Sequence, residues 1–245
     1  TEKKIEKKLE SFRKISKNYL YPSFDTIAGS GPNGAVIHYR SDRFSNRELK
    51  EDDLLLVDSG GQYKWGTTDV TRTVCFSNVS NKVKNIFTRV LKGHIAVALS
   101  NIKKERNGHN IDKIARKSLK TVGLDYRHGT GHGVGAFLNV HEGPQGISKY
   151  NFIELKEGMV LSNEPGFYKK NDFGIRIENL VFIKKNRSNL LFENLTMAPI
   201  DKDLINYKML NKREQRYLFK YHFDVYNNIS PYLNKKEKKW LARLI

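Results

Sequence analysis

Strands that arrive as hairpins, with helical stretches between the clusters, predict an α+β fold: a mainly antiparallel sheet covered by helices. Three observations carry this. LLLVDSGGQY (54–63) and TDVTRTVCF (68–76) are strand-forming runs joined by a short turn. MVLSNEPGFY (159–168) and FGIRIENLVFI (173–183) read as a second pair joined by a turn. Between the pairs, apolar residues recur at helical spacing, and no βαβ alternation appears.

Taken in order, residues 1–18 read as a helix, with Ile5, Leu9, Phe12 and, less regularly, Ile15 on one side. GPNGAVIHY (31–39) reads as a turn followed by a strand, because Pro32, Asn33 and Gly34 are turn formers. The run LLLV marks a strand buried on both faces. Ser80 caps a long helix striped by Val83, Ile86, Phe87, Val90, Leu91, Ile95 and Ala98, with His94 packed on or beside the stripe. Asn110 is the candidate cap of a helix that turns Ile111, Ile114, Ala115 and Leu119 inward. LLFENLTMAPI is the expected last strand, and from 202 onward the chain reads as helices. The domain reading is one domain over 1–200 with a C-terminal helical extension, 201–245, packed on it.

The 245 residues suffice for a sizeable core, and no apolar run approaches the roughly 20 residues of a membrane span. No membrane partner is expected. One cysteine, Cys75, excludes an internal disulfide and fits a reducing, cytoplasmic setting. The net charge of +18 invites a nucleic-acid reading. Its distribution argues against one: residues 1–18 carry seven Lys/Arg against three Asp/Glu, and residues 201–245 eleven against five. More than half of the excess therefore sits on two terminal, helix-like stretches. No RNA-recognition signature or zinc-finger spacing accompanies it.

The chemistry concentrates elsewhere. YRHGTGHGVGAF (126–137) sets two histidines four apart among glycines. GHGVGA from Gly131 matches the loose dinucleotide fingerprint, but the residues before it, GLDYRH, are short and polar where an apolar strand is needed. Asp58 ends LLLV, and Asp69 falls on the facing strand of that hairpin. Glu164 follows MVLSN, and in GIRIEN alternation puts Arg176 and Glu178 on one face. Four carboxylates in or beside buried strands repel one another, and one arginine does not neutralise them. A divalent cation does, and a glycine-flanked histidine supplies the nitrogen ligand that suits Mn²⁺ or Zn²⁺. For any one of these acids a strand-end salt bridge stays open; the set favours a metal.

DSGGQYKWGTTDVTRT, HGTGHGVG, NVHEGP, NEPGFY and GIRIEN, in this order, closely resemble the catalytic domain of Xaa-Pro aminopeptidases (aminopeptidase P) of the three-domain type. These belong to the pita-bread metallopeptidases. GPNGAVIHY and HGTGHGVGAFLNVHEGP sharpen the likeness, which runs from FDTIAGSGPNGAVIHY to the C-terminal helices. The resemblance implies a pseudo-symmetric pita-bread fold with two divalent metals, Mn²⁺ first and Zn²⁺ or Co²⁺ as alternatives. It implies Asp58, Asp69, His132, Glu164 and Glu178 as metal ligands, Asp69 and Glu178 bridging. Asp58 then serves one ion, and His132 and Glu164 the other. It implies Glu164 as the proton carrier, and His38 and His141 as groups acting on the oxyanion or leaving group. His38, His128, His141 and Arg176 fall on the substrate side. The implied reaction releases the first residue from peptides with proline second. A prolidase-like Xaa-Pro dipeptidase and a non-catalytic peptide-binding module are the alternatives, and a homodimer is compatible. The two N-terminal domains of larger members are expected to be absent, which leaves the activity of this stretch alone open.

Overall fold

The computed structural model describes residues 1–137 and 139–244; Leu138, inside the glycine-rich motif, and Ile245 lie outside the described residues. The chain opens with helix α1 (Glu2–Arg13), followed by strands β1 (Tyr19–Pro22), β2 (Ile27–Ser30), β3 (Leu54–Ser59), β4 (Gly61–Tyr63), β5 (Gly66–Thr67) and β6 (Val70–Cys75). Helices α2 (Asn81–Ala98), α3 (Ile102–Glu105) and α4 (Gly108–Lys120) come next. After them run β7 (Gly131–His132), β8 (Gly146–Ile147), β9 (Val160–Asn163), β10 (Gly166–Lys169), β11 (Phe173–Arg176), β12 (Asn179–Asn186) and β13 (Asn189–Asn194). Helices α5 (Lys212–Ile229) and α6 (Lys235–Leu244) close it. Every strand pair among the described residues is antiparallel. The α+β expectation therefore holds.

Two three-stranded sheets carry the site: β2–β3–β6 and β9–β12–β13. Helix α2 is capped by Ser80 Oγ, which accepts from Val83 N–H as the sequence predicts. It buries Phe87, Val90, Leu91 and Ile95 in one core with Ile175, Ile177 and the C-terminal residues Leu204, Leu218, Val225 and Leu241. A second core joins Ile111 and Ala115 of α4 to Leu161, Val181 and Ile183 of the second sheet. His94 is a packed helix residue: its Nδ1 lies 3.1 Å from the Asn163 carbonyl, and Asn163 Nδ2 donates back to the His94 carbonyl.

Several elements depart from the expected bounds. Helix α1 stops at Arg13, and Phe12 and Ile15 beyond its buried face are 55% and 77% exposed. Residues 31–39 form no strand. Gly31–Ala35 is a 3-10 turn, held against β2 so closely that a Cβ on Gly29 would lie 2.7 Å from Gly34 N. The cap of α4 is Asn107, three residues before Asn110, and its side chain accepts from Asn110 N–H. Leu204, Tyr207 and Leu210 belong to two 3-10 turns or their flanks rather than to an α-helix.

The most consequential departure concerns the second hairpin. The expected strands 159–168 and 173–183 each break once, at Glu164–Pro165 and at Ile177–Glu178. The breaks face each other, because Asn163 pairs with Asn179 on one side and Gly166 with Arg176 on the other. Proline has no N–H to continue the ladder. Released from β9, the Glu178 N–H donates instead to the Thr71 carbonyl of β6 at 3.1 Å. That bond ties the two sheets together at the point where their acids meet.

Candidate metal centre

All nine residues singled out from the sequence line one cavity of 490 Å³. Asp58 sits in β3 opposite Thr71, and Asp69 precedes β6 by one residue instead of lying within it. Asp69 is two positions from Thr71, so alternation turns it to the same face as Asp58. Both acids are buried. Glu164 and Glu178 enter from the two strand breaks, Glu178 fully buried.

The backbone around His132 explains the glycines. A Cβ on Gly131 would lie 2.0 Å from the Ser162 carbonyl oxygen, and one on Gly133 would lie 2.0 Å from that of Glu142. Only glycine lets the loop press against β9 on one side and the 142 turn on the other. His132 N–H then donates to Ser162 Oγ, whose hydroxyl donates to Glu164 Oε1.

The imidazole itself is oriented. His132 Nδ1 is 3.0 Å from the Gly133 carbonyl, which only accepts, so Nδ1 carries the proton. In the neutral ring Nε2 is then a lone pair, yet it faces Asp69 Oδ2 and Glu164 Oε1, each at 3.4 Å. Three acceptors turned toward one point fit a cation. Ligand atoms of Asp69, His132 and Glu178 all lie within 4.8 Å of one another. Asp58 Oδ1 and Asp69 Oδ1 are buried with no hydrogen-bond partner. These orphaned oxygens complete a donor set that fits divalent metal.

The charges say the same. Burial, then the Asp58 and Glu164 charges, push Asp69 well above the usual carboxylate range. Burial, then Asp69 and Asp58, do so for Glu178. Glu164 is pushed up to about 8, first by burial and then by Glu178.

One cation serves the four acids among the cavity's buried residues. Arg176 donates from Nη2 to Asp58 Oδ2 at 2.7 Å, from Nε to Thr71 Oγ1 at 3.0 Å and from Nη1 to the Tyr168 hydroxyl at 2.7 Å. Thr71 Oγ1 in turn donates to Glu178 Oε2 at 2.8 Å. Tyr168 spends its own proton on His128 Nε2, 2.9 Å away, since Arg176 can only donate. His128 Nδ1 faces the Gly129 carbonyl at 2.7 Å. Both its nitrogens are thus committed, and burial lowers its pKa to about 4, so the ring is neutral.

His38 and His141 are exposed on the cavity wall. The His141 ring stands edge-on to His132, centroids 4.0 Å apart. The sequence reading missed Tyr168 and Thr71. Tyr168 lies four residues after Glu164 in NEPGFY, and Thr71 two after Asp69; alternation from the named acids was the available signal. It also missed Arg72, whose guanidinium reaches the Glu178 carbonyl, Ala198 and Pro199 carbonyls and the Tyr221 hydroxyl, joining the site to the C-terminal helices.

Comparison with known proteins follows the same lines. Residues 1–185 match metallopeptidase family M24, and residues 189–244 match the C-terminal region of peptidase M24. The probable Xaa-Pro aminopeptidase P of Laccaria bicolor is 47% identical over 249 residues, covering 96% of this chain and 39% of that protein. Aminopeptidase P2 of Arabidopsis thaliana is 46% identical over 252 residues, covering 98% and 36%. The chain thus spans well under half the length of these relatives. Among solved structures, X-prolyl aminopeptidase from Caenorhabditis elegans, described as a cytosolic enzyme with a di-nuclear active site, superposes with a TM-score of 0.93 at 38% identity. It covers 100% of this chain and 42% of that one. Prolidase from Pyrococcus furiosus gives 0.71 at 32% identity, covering 80% and 55%.

Proposed function

The chain belongs to metallopeptidase family M24, and on that premise we propose that it binds two divalent metal ions, Mn²⁺ first, and releases the N-terminal residue from peptides with proline in second position. The observation that carries this is the His132 lone pair turned toward Asp69 and Glu164 beside two orphaned aspartate oxygens. Asp58, Asp69, His132, Glu164 and Glu178 hold the ions. When bound, they polarise the scissile carbonyl and lower the pKa of water.

The chain's own groups do the rest. Glu164 takes a proton from water and passes it to the leaving proline nitrogen; its 18% exposure and its bond from Ser162 Oγ support this role. His38 and His141, on the cavity wall, donate to the developing oxyanion or the leaving group. Arg176 keeps Asp58 aimed inward. His128, neutral and with both nitrogens occupied, offers an uncharged ring to the pyrrolidine. An Xaa-Pro bond has no N–H, so a wall that asks for no hydrogen bond suits it.

A cytosolic setting is part of the proposal; among the described residues no helix is long and apolar enough to cross a membrane. The test is metal content together with turnover of an Xaa-Pro-Xaa tripeptide and an Xaa-Pro dipeptide in Mn²⁺, beside Asp58→Ala. Two ions and tripeptide cleavage, both lost in the variant, are expected. Cleavage of the dipeptide alone would make it a prolidase-like dipeptidase, and a chain that binds no metal would not be this enzyme.

A further inference from the structure

The metal centre leaves one buried charge pair unexplained. Asp112 and Arg116 lie one turn apart on α4, 3% and 8% exposed. Arg116 Nε donates to Asp112 Oδ2 at 2.8 Å. The rest of the guanidinium reaches past its partner. Nη1 donates to the Tyr126 carbonyl at 2.7 Å and to Asp125 Oδ1 at 2.8 Å, and Nη2 to the His128 carbonyl at 2.6 Å. The second Asp112 oxygen takes the Thr130 hydroxyl at 2.6 Å. The guanidinium also lies 3.9 Å over the Tyr126 ring, whose hydroxyl meets Thr130 Oγ1.

One helical pair thus grips residues 126, 128 and 130, the alternate residues that lead into His132. The grip extends further, because the Thr130 carbonyl accepts the Glu164 N–H at 2.7 Å. His132 and Glu164 therefore hang from the same fixture. Asp58, in β3, and Asp69, just before β6, make no direct hydrogen bond to it among the described residues; Asp58 reaches the loop at one remove, through Arg176, Tyr168 and the His128 side chain.

Stability does not account for such a pair. Desolvating two charges costs about as much as their attraction returns. Orientation does account for it. Glycines at 129, 131 and 133 leave every second position of the loop without a side chain to hold it, so much of its shape is imposed through its carbonyls and the few side chains between. A planar fork with five donors can fix two carbonyls and two carboxylates at once; an ammonium cannot.

We propose that the Asp112–Arg116 pair is a positioning clamp for the glycine-rich loop, acting selectively on the ion held by His132 and Glu164. This rests on the dinuclear reading above. Arg116→Lys keeps the charge beside Asp112 and removes the fork. Thr130→Val removes the hydroxyl with little change of shape, and Thr130→Ser restores it.

The experiment is calorimetric titration of each metal-free protein with Mn²⁺, alongside its thermal unfolding. In Arg116→Lys and Thr130→Val one of the two ions should bind about 10–100-fold more weakly, with the other within about twofold of wild type. Thr130→Ser should titrate like wild type. Wild-type affinities for both ions in both variants would overturn the clamp. So would equal weakening of both ions together with a lower melting temperature, which marks general support of the fold. A wild type that takes up no Mn²⁺ would overturn the dinuclear reading, and the clamp with it, and is told apart by the wild-type arm alone.

Discussion

Arg176 Nη2 donates to Asp58 Oδ2 at 2.7 Å across 118 residues of sequence, with side chains 3% and 12% exposed. Removing one partner of a buried pair strands the other. Arg176→Met should therefore destabilise the metal-free chain by about 3–5 kcal/mol in urea unfolding. The double variant Asp58→Asn, Arg176→Met should recover part of that loss. Additive losses would show that the two residues do not depend on each other.

The carboxylates set a pH dependence whose sign can be worked out. Glu164 at about 8, and Asp69 and Glu178 also raised, ionise near pH 4 in the unfolded chain. The folded, metal-free chain holds protons that the unfolded chain has released. The Glu164 contribution is full below about pH 4 and is lost as pH rises through 8, and those of Asp69 and Glu178 have the same sign. His94, His128 and His222, lowered to about 3, 4 and 4 by burial, act in the opposite sense. Theirs is full above about pH 6.5 and lost as pH falls through 4. Between pH 6.5 and 8 only the first group acts, so the melting temperature in chelator should fall. Mn²⁺ should remove that slope; a flat profile in chelator would count against the buried acid cluster.

Tyr168 links Arg176 to His128 and, among the described residues, makes no hydrogen bond to a proposed ligand. In Tyr168→Phe the Nε2 of His128 loses its donor, at about 1–3 kcal/mol, or roughly 5–150-fold in kcat/KM for an Xaa-Pro-Xaa peptide. Metal stoichiometry should not change. His132→Ala should behave differently and lose metal. Equal metal loss in both variants would erase the division between the two histidine-bearing sides of the cavity.

Arg72 couples the C-terminal helices to the site through the Glu178 carbonyl, Ala198, Pro199 and the Tyr221 hydroxyl. Lysine cannot replace that fork. Arg72→Lys should cost at least about 2 kcal/mol in unfolding free energy, because buried carbonyls lose their donors. A neutral outcome would mean that the C-terminal helices are held by their apolar contacts alone.

What could be read from the sequence was local. Ser80 as a cap, the stripe of α2 and the acids closing apolar runs depend on near neighbours, and the structure places them as expected. The break at Pro165 carries a local signal that the reading of 159–168 as one strand passed over, and the facing break at Ile177–Glu178 follows from the partner strand and from Thr71, 107 residues away. The turn at 31–35 was legible from Pro32, Asn33 and Gly34, but its close packing against Gly29 and the absence of a strand over 36–39 were not. Asp112 and Arg116 have the spacing of an ordinary surface ion pair on a helix, and only burial against the loop distinguishes them.

The paired strand breaks have a consequence for how the chain is assembled. The β3–β6 hairpin can close early, from residues fewer than 25 apart, and in doing so fixes Asp58 and the approach to Asp69. Glu178 reaches them only when the second sheet docks through its bond to Thr71. Contacts of such long separation form late, after most of the loop entropy has been spent. Until the bond to Thr71 forms, Asp58 and Asp69 do not have Glu178 as a neighbour, so the full crowding of charge belongs to the docked sheets. On the metal-binding proposal, an ion that relieves this crowding stabilises the docked sheets, and the chain should unfold at lower urea in chelator than in Mn²⁺.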